Sequence, residues 1–107
     1  MDFRNMQEMY MDIVHRFNKI EASEWKAQGT MIELIKQVGE LAKQVMLKEK
    51  YYAFSDNDPV IDERLGNEMA DVIAQVIRLA DYYEIDLEDA FIKARSDEDE
   101  YLKSRGV

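Results

Sequence analysis

The chain has 107 residues, 47% hydrophobic and 35% charged, which suits one globular domain with a modest core rather than a disordered segment. A formal net charge of −9, from 23 acidic against 14 basic residues, excludes ordinary binding to DNA or RNA polymers, and any phosphate ligand would need a divalent cation as bridge. No cysteine is present, which removes disulfides, thiolate metal sites and cysteine nucleophiles; no apolar run is long enough for a bilayer and no signal or transit peptide opens the chain, so a cytoplasmic location is expected.

Strand-like alternation is absent, and Pro occurs once and Gly four times. The first segment places Phe3, Met6, Tyr10, Ile13, Phe17 and Ile20 at alternating spacings of three and four. That is the seam of a helix packed lengthwise on others, and it predicts a helix from about Asp2 to Ala22. His15, the only histidine, lies off this seam and reads as a surface residue. A break is expected from Ala22 to Gly29. Trp25 sits in it, either as an anchor closing one end of the core or as a wall on which a base stacks.

Thr30-x-x-Glu33 reads as a capping box opening a second helix that runs to about Lys50. Its apolar stripe is Leu34, Ile35, Val38, Leu41, Ala42 and Val45. Beside it Glu33, Gln37 and Glu40 share a polar face, and Lys36 stands one turn before Glu40. Tyr51 to Asp58 is a loop by composition. Asp58-Pro59 is a good cap and first position for a third helix, which runs to about Tyr83 with Glu68 and Asp71 on one face. Gly66 inside it marks a kink or a close crossing. Asp86 caps a last helix from Leu87 to about Ser104, with Glu88 and Asp89 in its first turn. Its charged second half reads as a solvated surface, or as a fraying tail over the last ten or so residues.

The sum is one all-α domain over residues 1–107, a four-helix bundle whose Met- and Ile-rich seams are expected to be completed by oligomerisation, as a homodimer or homotetramer. Glu40 on one helix and Glu68 with Asp71 on the next can face one point, the kind of oxygen set that Mg²⁺ or Mn²⁺ takes.

VGELAKQV in the second helix, followed by NEMADVIAQVIRLADYYEIDLEDA, resembles the MazG-like family of all-α nucleotide pyrophosphohydrolases over about Trp25 to Lys93. The family pattern is E-E-x-x-E on one helix and E-x-x-D on the next. Here it reads Lys36-Gln37-Val38-Gly39-Glu40, then Glu68-Met69-Ala70-Asp71. The resemblance implies Mg²⁺ (or Mn²⁺) held by Glu40, Glu68 and Asp71, with Glu33 making up for a missing carboxylate. It implies cleavage of a nucleoside triphosphate to monophosphate and pyrophosphate, with Gln37 and Glu40 at the catalytic positions. Lys36 and Gln37 stand where the pattern has Glu, and Gln37 cannot accept a proton from water, which points to weak activity or to a substrate other than ordinary deoxynucleoside triphosphates. In the last helix Lys93 fits a phosphate-contact pattern, while Asp97 and Glu100 replace Asn and Arg; Arg95, Lys103 or Arg105 is then the substitute. Trp25, Lys36, Lys93 and Arg95 are the expected substrate-binding residues. The other readings are a non-catalytic MazG-like nucleotide-binding or regulatory module and a plain oligomerisation domain with a solvated acidic face.

Overall fold

The computed structural model describes residues 1–23, 25–52 and 60–107. It contains four helices and no strand among them: α1 (Phe3–Asn18), α2 (Ala27–Lys48), α3 (Ile61–Tyr82) and α4 (Leu87–Ser104). The all-helical expectation holds. The expected start of the third helix at Asp58-Pro59 and most of the preceding loop lie outside the described residues.

Local chemistry explains most of the helix ends. Asp2 caps α1, its carboxylate accepting from the Asn5 N–H at 2.8 Å, and His15 and Arg16 complement the dipole in the last turn. The helix stops at Asn18, four residues short of the expected end. Asp86 caps α4 as expected, accepting from the Asp89 N–H at 3.0 Å; that bond, with Arg4 nearby, holds its carboxyl below the ordinary range.

The start of α2 differs from expectation. It begins at Ala27, and the N–H of Thr30 donates to the Lys26 carbonyl at 3.0 Å. Thr30 is therefore inside the first turn and almost fully buried (1% exposed), so it is no cap, and Thr30-x-x-Glu33 is not a capping box. Glu33 is left free to pair along the helix.

Helices α2, α3 and α4 end alike. Lys50, Glu84 and Gly106 take left-handed φ of 60°, 55° and 81°. The next N–H then reaches back to Met46, Ala80 and Leu102 respectively, at 3.0, 2.8 and 3.1 Å. This is the Schellman arrangement, which prefers glycine at the left-handed position; only α4 has it.

Helices α2 and α3 make the principal contact. Lys48 at the end of α2 donates to Asp62 at the start of α3, at 2.7 Å, so the two run antiparallel as a hairpin. Helix α1 lies on α3. Arg4 ties the start of α1 to the start of α4, donating to Glu88 at 2.7 Å and to Asp86 at 3.2 Å. These groups are well exposed, so the clasp orients more than it stabilises.

The core is small and mixed. Val14, Ala27, Ile77 and Ala80 are buried, and so are Thr30, Gln44, Gln75 and Arg78. Of the seam expected on α1, Phe3, Tyr10 and Ile13 are half-buried and Met6, Phe17 and Ile20 are exposed; the buried residue of the helix is Val14, beside the seam. On α2, Ile35, Val38 and Val45 are exposed, with Ile35 at 65%. Helix α4 buries no residue, and its charged half is helical to Ser104. The radius of gyration is 17.5 Å, against about 13 Å for a compact domain of this length. One copy of the chain thus leaves much of its apolar surface open.

Gly66 marks no close crossing, since a Cβ added there would meet nothing within 4 Å. Gly66→Ala is expected to raise stability by about 1 kcal/mol through helix propensity. Glu84→Gly is expected to raise it by about 0.5–1 kcal/mol by relieving the left-handed φ. Denaturant midpoints at unchanged slope check both, and a loss in either variant contradicts the corresponding assignment.

Candidate functional site

The polar face of α2 is organised around Glu33. Its Oε1 accepts from Gln37 Nε2 at 2.9 Å and from Lys36 Nζ at 3.5 Å. Lys36 therefore leans back toward Glu33 rather than forward to Glu40. The reason lies in the helix start: with Glu33 released from capping, it becomes the nearest carboxylate one turn before both side chains. Glu40, one turn further on, is exposed.

Glu68 and Asp71 lie one turn apart on α3, both half-buried. Among the described residues, no group of three or more His, Cys, Asp or Glu side chains stands close enough to hold a metal ion. Glu40, Glu68 and Asp71 are therefore not gathered at one point within a single chain. Glu68 is nonetheless under-satisfied, because its Oε2 is buried and has no hydrogen-bond partner. A desolvated carboxylate oxygen without a donor is costly, and a cation is one species that would satisfy it. In that respect Glu68 fits the metal that the motif implies.

Glu68 also lines a cleft of about 790 Å³ between α2 and the first turns of α3, with Gln44, Val60, Glu63, Arg64 and Asn67. Gln44 is 8% exposed, and its Oε1 is likewise buried without a partner. Sequence reasoning passed over Gln44. Its one legible signal was position: it falls one turn after Glu40, in line with Gln37 on the polar face.

A second site surrounds Trp25. The guanidinium carbon of Arg78 stands 4.5 Å from the centroid of the indole ring, a cation–π stack. Arg78 NH2 also approaches Asn18 Oδ1 at 3.4 Å and Glu21 Oε2 at 3.6 Å. Gln75 Nε2 donates to the Tyr10 hydroxyl at 3.4 Å beside this group. Burial pushes the Tyr10 phenol up, and the nearby Arg78 charge works against that. A cavity of about 120 Å³ opens here, bordered by His15, Asn18, Trp25, Thr30, Arg78 and Asp81. Trp25 thus closes one end of the core, and Arg78 occupies one face of its ring. His15 is exposed, as expected, and lies on the rim.

The expected phosphate contacts on α4 are engaged with their own helix. Lys93 Nζ donates to Asp97 at 2.8 Å, and that bond raises its pKa above the ordinary lysine value. Arg95 donates to Glu98 at 2.7 and 3.2 Å and stacks 4.8 Å from the centre of Phe91. Asp97, which replaces the expected Asn, is therefore the partner that neutralises Lys93.

Comparison with protein-family models and with curated proteins gives no match for this chain.

Arg78 is buried, with its side chain 9% exposed, and its partners cannot rearrange freely around a neutral substitute. Arg78→Met is expected to cost about 3 kcal/mol, because it leaves Glu21 buried without its counter-charge. Because Trp25 is the only tryptophan, its emission reports the stack directly. A changed emission maximum together with the lost stability is expected, and unchanged values of both would remove the buried pair from the account.

Proposed function

We propose that the chain is a divalent-cation-dependent nucleoside triphosphate pyrophosphohydrolase of the MazG-like type. The observation that carries the reading is Glu68, a carboxylate with one oxygen desolvated and unpaired, one turn from Asp71 on the helix that bears the E-x-x-D motif. Glu40, Glu68 and Asp71, with Glu33 in support, would hold Mg²⁺ or Mn²⁺. When bound, such an ion neutralises phosphate charge and lowers the pKa of a coordinated water.

The chain's own residues then divide the remaining work. Glu33 holds the Gln37 amide through its N–H, which leaves the Gln37 carbonyl as the group able to accept from a water. Gln37 can orient that water and cannot deprotonate it. Lys36 is poised on the same carboxylate and can turn to a phosphate. Trp25 offers a base the ring face that Arg78 does not cover. Lys93 and Arg95 can reach phosphate only by exchanging Asp97 and Glu98 for it.

A second copy of the chain belongs to this reading. The carboxylates are not gathered within one copy, and Ile32, Ile35, Met69 and Ile73 on the α2–α3 hairpin are exposed. Exposed apolar side chains of this size suit an interface, and pairing hairpins would bury them. Sedimentation equilibrium is expected to give two or four times the chain mass, and Ile35→Asp to lower it. A monomeric wild-type chain would count against this part.

The other reading is a non-catalytic helical module that binds or regulates. It is favoured by the engagement of Glu33 with Lys36 and Gln37, and of Lys93 and Arg95 with their own acids. Pyrophosphate release over a panel of nucleoside triphosphates with Mg²⁺ or Mn²⁺ separates the two. Hydrolysis is expected to be slow, to disappear in Glu68→Gln, and to rise on the order of 100-fold in Gln37→Glu, which restores a general base. No release from any nucleotide by wild type or Gln37→Glu leaves the non-catalytic module.

A further inference from the structure

Gln44 and Glu68 line the cleft between α2 and α3, and each has one buried side-chain oxygen without a hydrogen-bond partner, Gln44 Oε1 and Glu68 Oε2. Both are acceptors, on facing helices, so the missing species brings positive charge or donor hydrogens. An anion would leave both unsatisfied. Gln44 comes from α2, and Glu63, Asn67 and Glu68 from consecutive turns of α3, with Glu63 and Asn67 four residues apart on one stripe. All four side chains carry hard oxygen donors, and no thiolate, thioether or imidazole lines the cleft. Arg64 adds a positive charge to the wall, against the two carboxylates of Glu63 and Glu68. The Lys48 ammonium close by is held by Asp62 at 2.7 Å.

We propose that this cleft is a site for a hard divalent cation, with Gln44 Oε1 and Glu68 Oε2 as its inner ligands and Glu63 and Asn67 supplying further oxygens. Mg²⁺, Mn²⁺ and Ca²⁺ are the ions suited to such a set, since they take six or more oxygens and accept waters for the remainder. A cleft of about 790 Å³ leaves room for those waters. The amide matters because α2 presents no acid at this position. A glutamine carbonyl adds a ligand without a further negative charge in an already acidic chain, and it can be buried where a carboxylate would be costly.

The site shares Glu68 with the function proposed above and extends that reading by assigning Gln44. The two can fail separately. Manganese binding is measured on the full chain without nucleotide, by the loss of the free Mn²⁺ electron paramagnetic resonance signal, with helical circular dichroism recorded on every sample. Wild type is expected to bind Mn²⁺, and Gln44→Leu, of similar size but without an acceptor, to bind at least about tenfold more weakly. Gln44→Glu is expected to restore or tighten binding, which keeps the test informative if Gln44→Leu does not fold. Absence of Mn²⁺ binding by wild type overturns the site. So does a folded Gln44→Leu that binds as wild type does, or a Gln44→Glu that binds no better than Gln44→Leu. Mn²⁺ binding that depends on Gln44, in a chain that hydrolyses no nucleotide, upholds the site and removes the pyrophosphohydrolase reading. Hydrolysis that depends on Mn²⁺, with binding indifferent to Gln44, does the reverse.

Discussion

The antiparallel contact of α2 with α3 carries this fold, and it is not a dry contact. Among the described residues the buried apolar side chains are Val14, Ala27, Ile77 and Ala80, all small or medium in size. Thr30, Gln44, Gln75 and Arg78 share the interior with them. Burial of so few apolar groups leaves little margin against the loss of chain entropy. Each polar group inside must therefore find a partner or weaken the structure. Arg78 finds several, in Trp25, Asn18 and Glu21. Gln44, Gln75, Glu21 and Glu68 each leave one buried acceptor without a hydrogen-bond donor.

The two sites sit at different places on the hairpin and differ in kind. Around Trp25 the positive charge is internal, supplied by Arg78 and matched by Glu21. In the α2–α3 cleft the unmatched atoms are oxygens. Along α4 and α1 four acids are paired at short range: Lys93 with Asp97, Arg95 with Glu98, Lys103 with Asp99, Arg16 with Asp12. Such pairs are exposed and contribute little to stability. Helix α4 buries no residue, and Ile92, Tyr101 and Leu102 on it are exposed.

Much of the helix pattern was legible from side-chain spacing and from caps. Asp2 and Asp86 accept N–H bonds of the first turn as their residue type suggests. The start of α2 was not legible, because Thr30 has the chemistry of a cap and the burial of a core residue. Nothing local distinguishes the two; the packing of Trp25 and Ala27 decides it. The α1 seam is covered only in part for a related reason. A three-four spacing finds an apolar stripe and does not say which neighbour covers it, and here Phe17 and Ile20 are exposed. For the candidate site, Glu68 and Asp71 were visible as a pair. The engagement of Lys36 and Gln37 by Glu33 was not, since each has more than one acid within a turn.

By itself the sequence determined helix type, approximate number and length, the acidic charge, and the placement of Glu68 with Asp71 on one face, because these follow from composition and from the 3.6-residue period. The tertiary structure alone decided which polar groups lose water. Desolvation depends on what a second helix brings to the same spot, so it is invisible to any one-helix pattern. That is how Gln44 came to be buried with an oxygen unpartnered, Arg78 to lie on Trp25, and Glu68 rather than Glu40 to hold an unsatisfied carboxylate oxygen.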